Sequence, residues 1–310
     1  MVKIFGKEPW DKVKYAPKKL RGFLDLLRPF TLLAPAIGGI SSALIAYSHS
    51  YSNIWDIDLI LLVHGVATIV MVNGASNALN QACDAEIDSI NKPYRPIPSG
   101  IVTVDEARTI AYILYLFILF RACLINFAFG GVVLAVMCLT IIYSVEPVRL
   151  KKRLFTSNIA IGLGRGLLGF VAGWCIFGSI NNLVPWVIGG IMFIYLIGAT
   201  TTKDFPDVVG DRQYNIRTLP VVYGRSKAIA FSAPFFVFPF ALIPICIQLG
   251  LLAQNTIWLA LLSIWGTYIV FLLWKYADVP DKKFENTPVW KHMYFMLIAM
   301  QVGFCLFYLL

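Results

Sequence analysis

The chain has 310 residues, of which 58% are hydrophobic and only 14% charged, against about 25% charged in an average soluble protein. A soluble chain of this length needs a polar shell that this composition does not supply, and a disordered one would be polar and poor in aromatics, so the composition points to an all-α polytopic membrane protein. The net charge is nevertheless +9, from 26 Lys and Arg against 17 Asp and Glu, which makes the placement of those few charges informative.

In chain order, residues 1–29 form a basic segment with Lys3, Lys7, Lys12, Lys14, Lys18, Lys19, Arg21 and Arg28, and no cleavable signal peptide is evident in it. A membrane helix needs about 20 mostly apolar residues. Such stretches are predicted near 30–48, 58–80, 108–126, 130–145, 158–178, 185–202, 227–250, 256–275 and 292–310. Lys and Arg gather before the first stretch and after the second, fourth, sixth and eighth. The connections near 49–57, 127–130, 179–184 and 251–255 hold none. Only Arg121 and Arg165 lie inside stretches. Cytoplasmic loops carry the excess of Lys and Arg. The alternation therefore predicts nine spans, a cytoplasmic N-terminus and a C-terminus on the opposite side. Merging the third and fourth stretches across Gly130-Gly131 would break it. Residues 30–310 are read as a single transmembrane domain. The six scattered cysteines show no metal or disulfide spacing and read as small buried hydrophobes.

Two carboxylate clusters fall on the predicted cytoplasmic side. Asn80, Asp84 and Asp88 repeat at i, i+4 and i+8, which stacks them along one helix face. Asp207 and Asp211 repeat the i, i+4 spacing, with Asp204 just before them. Spans two and six each run into one of these segments, a faint internal repeat. Stacked carboxylates beside a bilayer repel unless a cation sits between them. Mg2+ takes hard oxygen ligands, usually one or two carboxylates plus phosphate oxygens. Two such clusters would hold Mg2+ ions bridged by a diphosphate. The proline-restricted loop Asn91-Lys92-Pro93-Tyr94-Arg95-Pro96-Ile97-Pro98-Ser99-Gly100 follows the first cluster. Tyr143-Ser144 and Arg149-Leu150-Lys151 follow span four. Arg95, Arg149 and Lys151 suit a polyphosphate clamp, whereas Lys152 and Arg153 read as topological charges.

Taken together these residues resemble the UbiA superfamily of intramembrane prenyltransferases. The matching elements are Asn80-x-x-x-Asp84-x-x-x-Asp88, Arg95-Pro96-Ile97-Pro98-Ser99-Gly100, Tyr143-Ser144 with Arg149-Leu150-Lys151, Lys203-Asp204-x-x-Asp207-x-x-x-Asp211, and Thr218-Leu219-Pro220-Val221 with Gly224. They cover roughly residues 20–230. The resemblance implies a helical bundle around a central cavity open to lipid, and Mg2+-dependent transfer of a prenyl group from an isoprenyl diphosphate. It implies Asp84, Asp88, Asp207 and Asp211 as metal ligands. Asn80 and Tyr143 would sit at the ionising carbon, and Arg95, Arg149, Lys151, Lys203 and Asp204 around the diphosphate. Gln81 stands where relatives often have Asp, and Glu146 where some have proline. The loop motifs are more similar to the chlorophyll-synthase and archaeal glycerol-lipid branches than to the 4-hydroxybenzoate branch. That tilts the reading to a long donor such as geranylgeranyl diphosphate and a lipid, quinone-precursor or chlorophyll-like acceptor.

Mid-span Arg165, in Gly162-Leu-Gly164-Arg165-Gly166-Leu-Leu-Gly169, must face the interior or a polar cavity. It reads either as a contact to an anionic acceptor or diphosphate, or as an interhelical partner. The competing functional class is a membrane transporter, since transporters also place ionisable residues in membranes and carry repeats. Against it, the acids here gather at one face and not at the midplane.

Overall fold

The computed structural model describes residues 18–51 and 53–310. The basic residues Lys3, Lys7, Lys12 and Lys14 of the N-terminal segment lie outside the described residues. All regular structure among those described is helical.

Among the described residues, seven helices are long and apolar enough to cross a membrane by length and composition: Lys18–Ser50, Leu59–Cys83, Phe127–Ser144, Val184–Thr202, Arg225–Gln248, Gln254–Lys275 and Pro288–Leu309. They match seven of the predicted stretches. The third and fifth stretches are helical as well, at Val104–Cys123 and at 156–174, but both are more polar. The first of these opens on Asp105, Glu106 and Arg108 and carries Arg121. The second holds Arg165 and five glycines.

Local chemistry sets where the helices begin. The side chain of Asp58 caps Leu59–Cys83, and that of Asn126 caps Phe127–Ser144. Thr103 and Glu106 form a capping box at Val104–Cys123. Lys18–Ser50 is not continuous. Pro29 disfavours α backbone at the residue before it, and Arg28 adopts a left-handed conformation with φ of 53°. An amphipathic helix, Lys18–Leu27, thus turns into the apolar helix Leu33–Ser50.

Two apolar cores result. One joins Leu59–Cys83, Val104–Cys123 and Phe127–Ser144. The other joins Val184–Thr202, Arg225–Gln248, Gln254–Lys275 and Pro288–Leu309. Leu33–Ser50 and 156–174 run between them and feed both: Phe170 and Trp174 pack into the second core, Val171 and Ala172 into the first. The Ser42 hydroxyl donates to the Phe170 carbonyl at 2.6 Å and ties these central helices together. Large apolar side chains such as Leu116, Phe120, Ile264 and Phe271 point outward, as a lipid-facing surface requires. The cysteine expectation needs correcting in part. Cys175 and Cys305 are buried, but Cys123 and Cys138 lie on the exposed face, where apolar surroundings come from lipid and not from protein; all six are free.

Candidate active site

Helix Leu59–Cys83 ends at Asp84, and helix Val184–Thr202 ends at Lys203. Each leads into a short helix, Ala85–Asn91 and Val208–Gln213, and these two short helices pack on each other. The faint repeat in the sequence is therefore a spatial pairing, with one carboxylate cluster from each core. The Asn91 side chain fastens the pair. Its Nδ2 donates to the Asp207 carbonyl at 3.0 Å, and its Oδ1 accepts from the Gly210 N–H at 2.9 Å.

The first cluster is saturated with cations. Arg149 donates to Asp84 at 2.9 Å, and Lys151 to the other oxygen of the same carboxylate at 2.5 Å. Arg95 donates to Asp88 at 2.5 Å. Arg149 and Lys151 are delivered by a turn in which Arg149 has a left-handed backbone, φ 33°, a strained conformation of the kind found at functional sites. In the second cluster Lys92 pairs with Asp207, and Lys203 lies 3.6 Å from Asp204. Asp211 is only 2% exposed, and its carboxylate makes no ion pair or hydrogen bond among the described residues. Glu86 points outward and takes no part.

The electrostatics follow from this pairing. Burial alone would raise the Asp84 carboxyl, but Lys151 and Arg149 outweigh it and hold Asp84 below the ordinary range. Burial raises Asp88, with Asp84 adding to the effect against Arg95. Asp207 is half-buried, which would raise it, yet Lys92 holds it low. Burial raises Asp204 in spite of Lys203. For Asp211 burial again leads, Lys151 opposes it, and Asp204 and Asp207 add repulsion; its carboxyl is pushed up to about 7.

These donors suit a hard cation. They are carboxylate oxygens, with the Asn80 amide alongside, and one buried carboxylate lacks a counter-charge. No group of three or more His, Cys, Asp or Glu among the described residues forms a self-sufficient metal cage. A divalent cation that takes one or two carboxylates and completes its shell from a phosphate ligand needs no such cage.

Between the two cores lies a cavity of about 190 Å³, many times the roughly 10–15 Å³ that one water requires. Its walls combine Ile69, Val72, Val133, Leu139, Phe170 and Met192 with the polar side chains of Asn80, Tyr143, Arg165 and Lys203. Lys203 donates to the Tyr143 hydroxyl at 3.1 Å and sits over that ring, 5.7 Å from its centre. Asn80 reaches Ser144 at 3.5 Å. The structure thus brings Asp84, Asp88, Asp204, Asp207, Asp211, Arg95, Arg149 and Lys151 together at one group of helix ends. Asn80, Tyr143 and Lys203 continue into the cavity, and Arg165 lines it as well.

Two readings change. Gln81 does not join the carboxylates. It is buried, and its amide donates to the Leu26 carbonyl at 2.7 Å, so a carboxylate at this position would face away from the cluster. Lys92 reads in the sequence as one more loop cation, but it is 8% exposed and neutralises Asp207. The available signal was its place between Asn91 and Pro93 in the restricted loop.

Known proteins share this architecture. A sequence model of the UbiA prenyltransferase family matches residues 32–298. The digeranylgeranylglyceryl phosphate synthase of Methanosphaera stadtmanae is 27% identical over 285 residues, covering 92% of this chain and 97% of that protein. The synthase of the same name from Methanocaldococcus jannaschii is 32% identical over 234 residues, covering 74% of this chain and 76% of that protein. The solved structure of a UbiA homolog from Archaeoglobus fulgidus bound to GPP and Mg2+ superposes with a TM-score of 0.73 at 17% identity, covering 93% of this chain and all of that one. The family match favours the enzyme over the transporter alternative. The chain is a multi-pass integral membrane protein and belongs to the UbiA prenyltransferase family.

Proposed function

We infer that this prenyltransferase moves a geranylgeranyl group from its diphosphate to the free hydroxyl of geranylgeranylglyceryl phosphate within the membrane. The observation that carries the reading is the joining of a carboxylate and cation cluster to a largely apolar cavity. The one suits a diphosphate with divalent metal, the other a polyisoprenyl chain. The acceptor is taken from the relatives. Digeranylgeranylglyceryl phosphate bears two geranylgeranyl groups on one glyceryl phosphate, so the second transfer requires an acceptor that already carries one.

Asp84, Asp88, Asp207 and Asp211 would hold Mg2+, with Asp204 beside them. When bound, Mg2+ supplies positive charge that neutralises the leaving diphosphate. Arg95, Arg149, Lys151, Lys203 and Lys92 neutralise carboxylates in the structure. With the acids engaged by metal, these cations would be free to bind the phosphate oxygens, where charge grows as the allylic C–O bond breaks. Such stabilisation is usually the largest catalytic contribution. The bonding electrons leave with the diphosphate. The Tyr143 ring and the Asn80 amide face the cavity, where the allylic cation forms. An aromatic face stabilises a cation by about 0.5–2 kcal/mol, and the apolar walls exclude water that would quench it. The acceptor oxygen then forms the new C–O bond and loses its proton.

Residues 30–310 act in this reading as one domain behind a basic segment, with its cavity open to lipid. Val104–Cys123 and the helix at 156–174 are taken to cross the membrane too, making nine spans. Support comes from the basic loops, which alternate only with that count. The N-terminus and the site then face the cytoplasm and the C-terminus the opposite side.

The test uses purified protein with geranylgeranyl diphosphate and geranylgeranylglyceryl phosphate. Mg2+-dependent diphosphate release with formation of the double ether is expected, and Asp84→Ala and Asp207→Ala should abolish both. Release that survives both substitutions would overturn the reading.

A further inference from the structure

The cations at the cluster all have carboxylate partners, but two arginines on the cavity wall have none. Arg28 and Arg165 both line the cavity, and neither forms an ion pair among the described residues. Arg95 and Arg165 both repel Arg28, and Glu285 and Asp88 attract it without an ion pair among the described residues. Two guanidinium groups lining one cavity inside a membrane bundle, neither in an ion pair among the described residues, are costly unless an anion joins them.

Both are held in place at the expense of regular backbone. Arg28 sits in the left-handed break between two helices. Three amides, one turn apart on Leu59–Cys83, grip the chain around it. Asn73 donates to the Thr31 carbonyl at 3.2 Å, Asn77 to the Leu27 carbonyl and the Thr31 hydroxyl at 2.9 Å, and Gln81 to the Leu26 carbonyl at 2.7 Å. Arg165 lies in a π-helical stretch, Gly162–Leu168, a distortion often found at functional sites. A Cβ on Gly166 would lie 2.8 Å from the Phe193 backbone nitrogen, so only glycine lets this stretch press against Val184–Thr202 and present Arg165 to the cavity. The side-chain oxygen of Asn77, Oδ1, also accepts from Arg165 at 3.4 Å. The two arginines therefore converge around Asn77, one helical turn from Asn80.

We propose that Arg28 and Arg165 form a second anion subsite, distinct from the carboxylate cluster, that holds the phosphate monoester of the lipid acceptor. The proposal rests on the acceptor reading given above. The cations at the cluster are engaged with its carboxylates and serve the donor diphosphate, so a second phosphate is left the guanidinium groups that have no acid partner. Paired guanidinium groups match its geometry. Held there, the acceptor presents its glyceryl hydroxyl on the Asn80 side, toward the ionising carbon.

The test measures transfer by the unmodified protein, Arg28→Gln, Arg165→Gln and Arg165→Lys, each with geranylgeranylglyceryl phosphate and with its dephosphorylated alcohol. Each Gln variant should raise KM for the phosphorylated acceptor by about 10- to 100-fold, as expected for lost charge-assisted hydrogen bonds. KM for the donor diphosphate and turnover of the alcohol should hold, so the preference for phosphate collapses. Arg165→Lys, which keeps the charge, should recover part of it and so separates binding from misfolding. A rise in donor KM, or a preference unchanged in both Gln variants, overturns the subsite alone. Failure of the unmodified protein to prenylate the phosphorylated acceptor overturns the acceptor reading, and the subsite with it.

Discussion

The two carboxylate clusters have the same construction and opposite charge balance. Each follows a long helix, Leu59–Cys83 or Val184–Thr202, and each continues into a short helix with acids spaced by four. In the first, Asp84 accepts from both Arg149 and Lys151, and Asp88 from Arg95. In the second, Asp207 has Lys92 and Asp204 has Lys203, but Asp211 forms no ion pair among the described residues and is pushed up to about 7. Like motifs thus divide the work. The first is an anchor whose negative charge is fully matched by the protein. The second keeps a carboxylate in reserve, open to a cation that the described residues do not pair with it.

The largest expected effect is one the two clusters share. Asp84→Asn and Asp207→Asn should each lower prenyl transfer by at least about 1000-fold, since both remove charge that positions the metal at the departing diphosphate. A steady-state assay at saturating Mg2+ checks this. Near-normal turnover in either variant would mean that one cluster is dispensable.

Stability should separate them. Asp84→Asn leaves the half-buried Lys151 without its acid and Arg149 with only the exposed Glu146, and breaking a buried pair by removing one partner costs up to about 3–5 kcal/mol. Asp211→Asn removes a buried charge that has no partner, so its stability should match or exceed that of the unmodified protein. Thermal denaturation in detergent without Mg2+ reads both. A loss for Asp211→Asn comparable to that for Asp84→Asn would erase the distinction.

A smaller effect is the pH dependence of Mg2+ affinity. With its carboxyl near 7, Asp211 holds a proton below that pH, and a metal must displace it. Affinity should fall by up to about tenfold per pH unit below about pH 7 and level off above it. Asp88, also raised by burial, adds to the slope with the same sign, whereas Asp84 and Asp207, held low by their cations, stay ionised throughout this window. Calorimetric titration across this range tests the sign, and Asp211→Asn should flatten the curve.

Much of this site was legible in the chain because it is periodic. Carboxylates four apart on a helix, followed by cations beside prolines, announce a shared face whatever the tertiary fold. The spans were legible for a similar reason, since hydropathy and basic loops are local patterns. Partnership was not legible. Lys92 and Asp207 are 115 positions apart and belong to different cores, and nothing near either residue announces the other. Arg28 looked like the last of a row of loop cations. Its role depends on Pro29 breaking the helix and on Asn73, Asn77 and Gln81 holding the break, a ladder that reads as ordinary polar content inside an apolar span. Arg165 was flagged by its depth alone, since the π-helical turn that presents it has no periodic signature.

The finest distinction concerns the link between the clusters. Asn91 belongs to the first short helix but spends both ends of its amide on the second, at the Asp207 carbonyl and the Gly210 N–H. A Cβ on Gly210 would lie 2.6 Å from that amide, so Gly210→Ala must push Asn91 aside and break both hydrogen bonds. Neutral hydrogen bonds contribute about 0.5–1.5 kcal/mol each, so stability should drop by about 1–3 kcal/mol and Mg2+ affinity by a few-fold, with the carboxylates themselves intact. Asn91→Ala should do the same. Because both substitutions remove one link, the double variant should be no worse than either single one, and with the amide gone the added methyl has nothing left to displace. Additive losses in that double-mutant cycle would show that the two residues act separately, and that the clusters are aligned by helix packing alone.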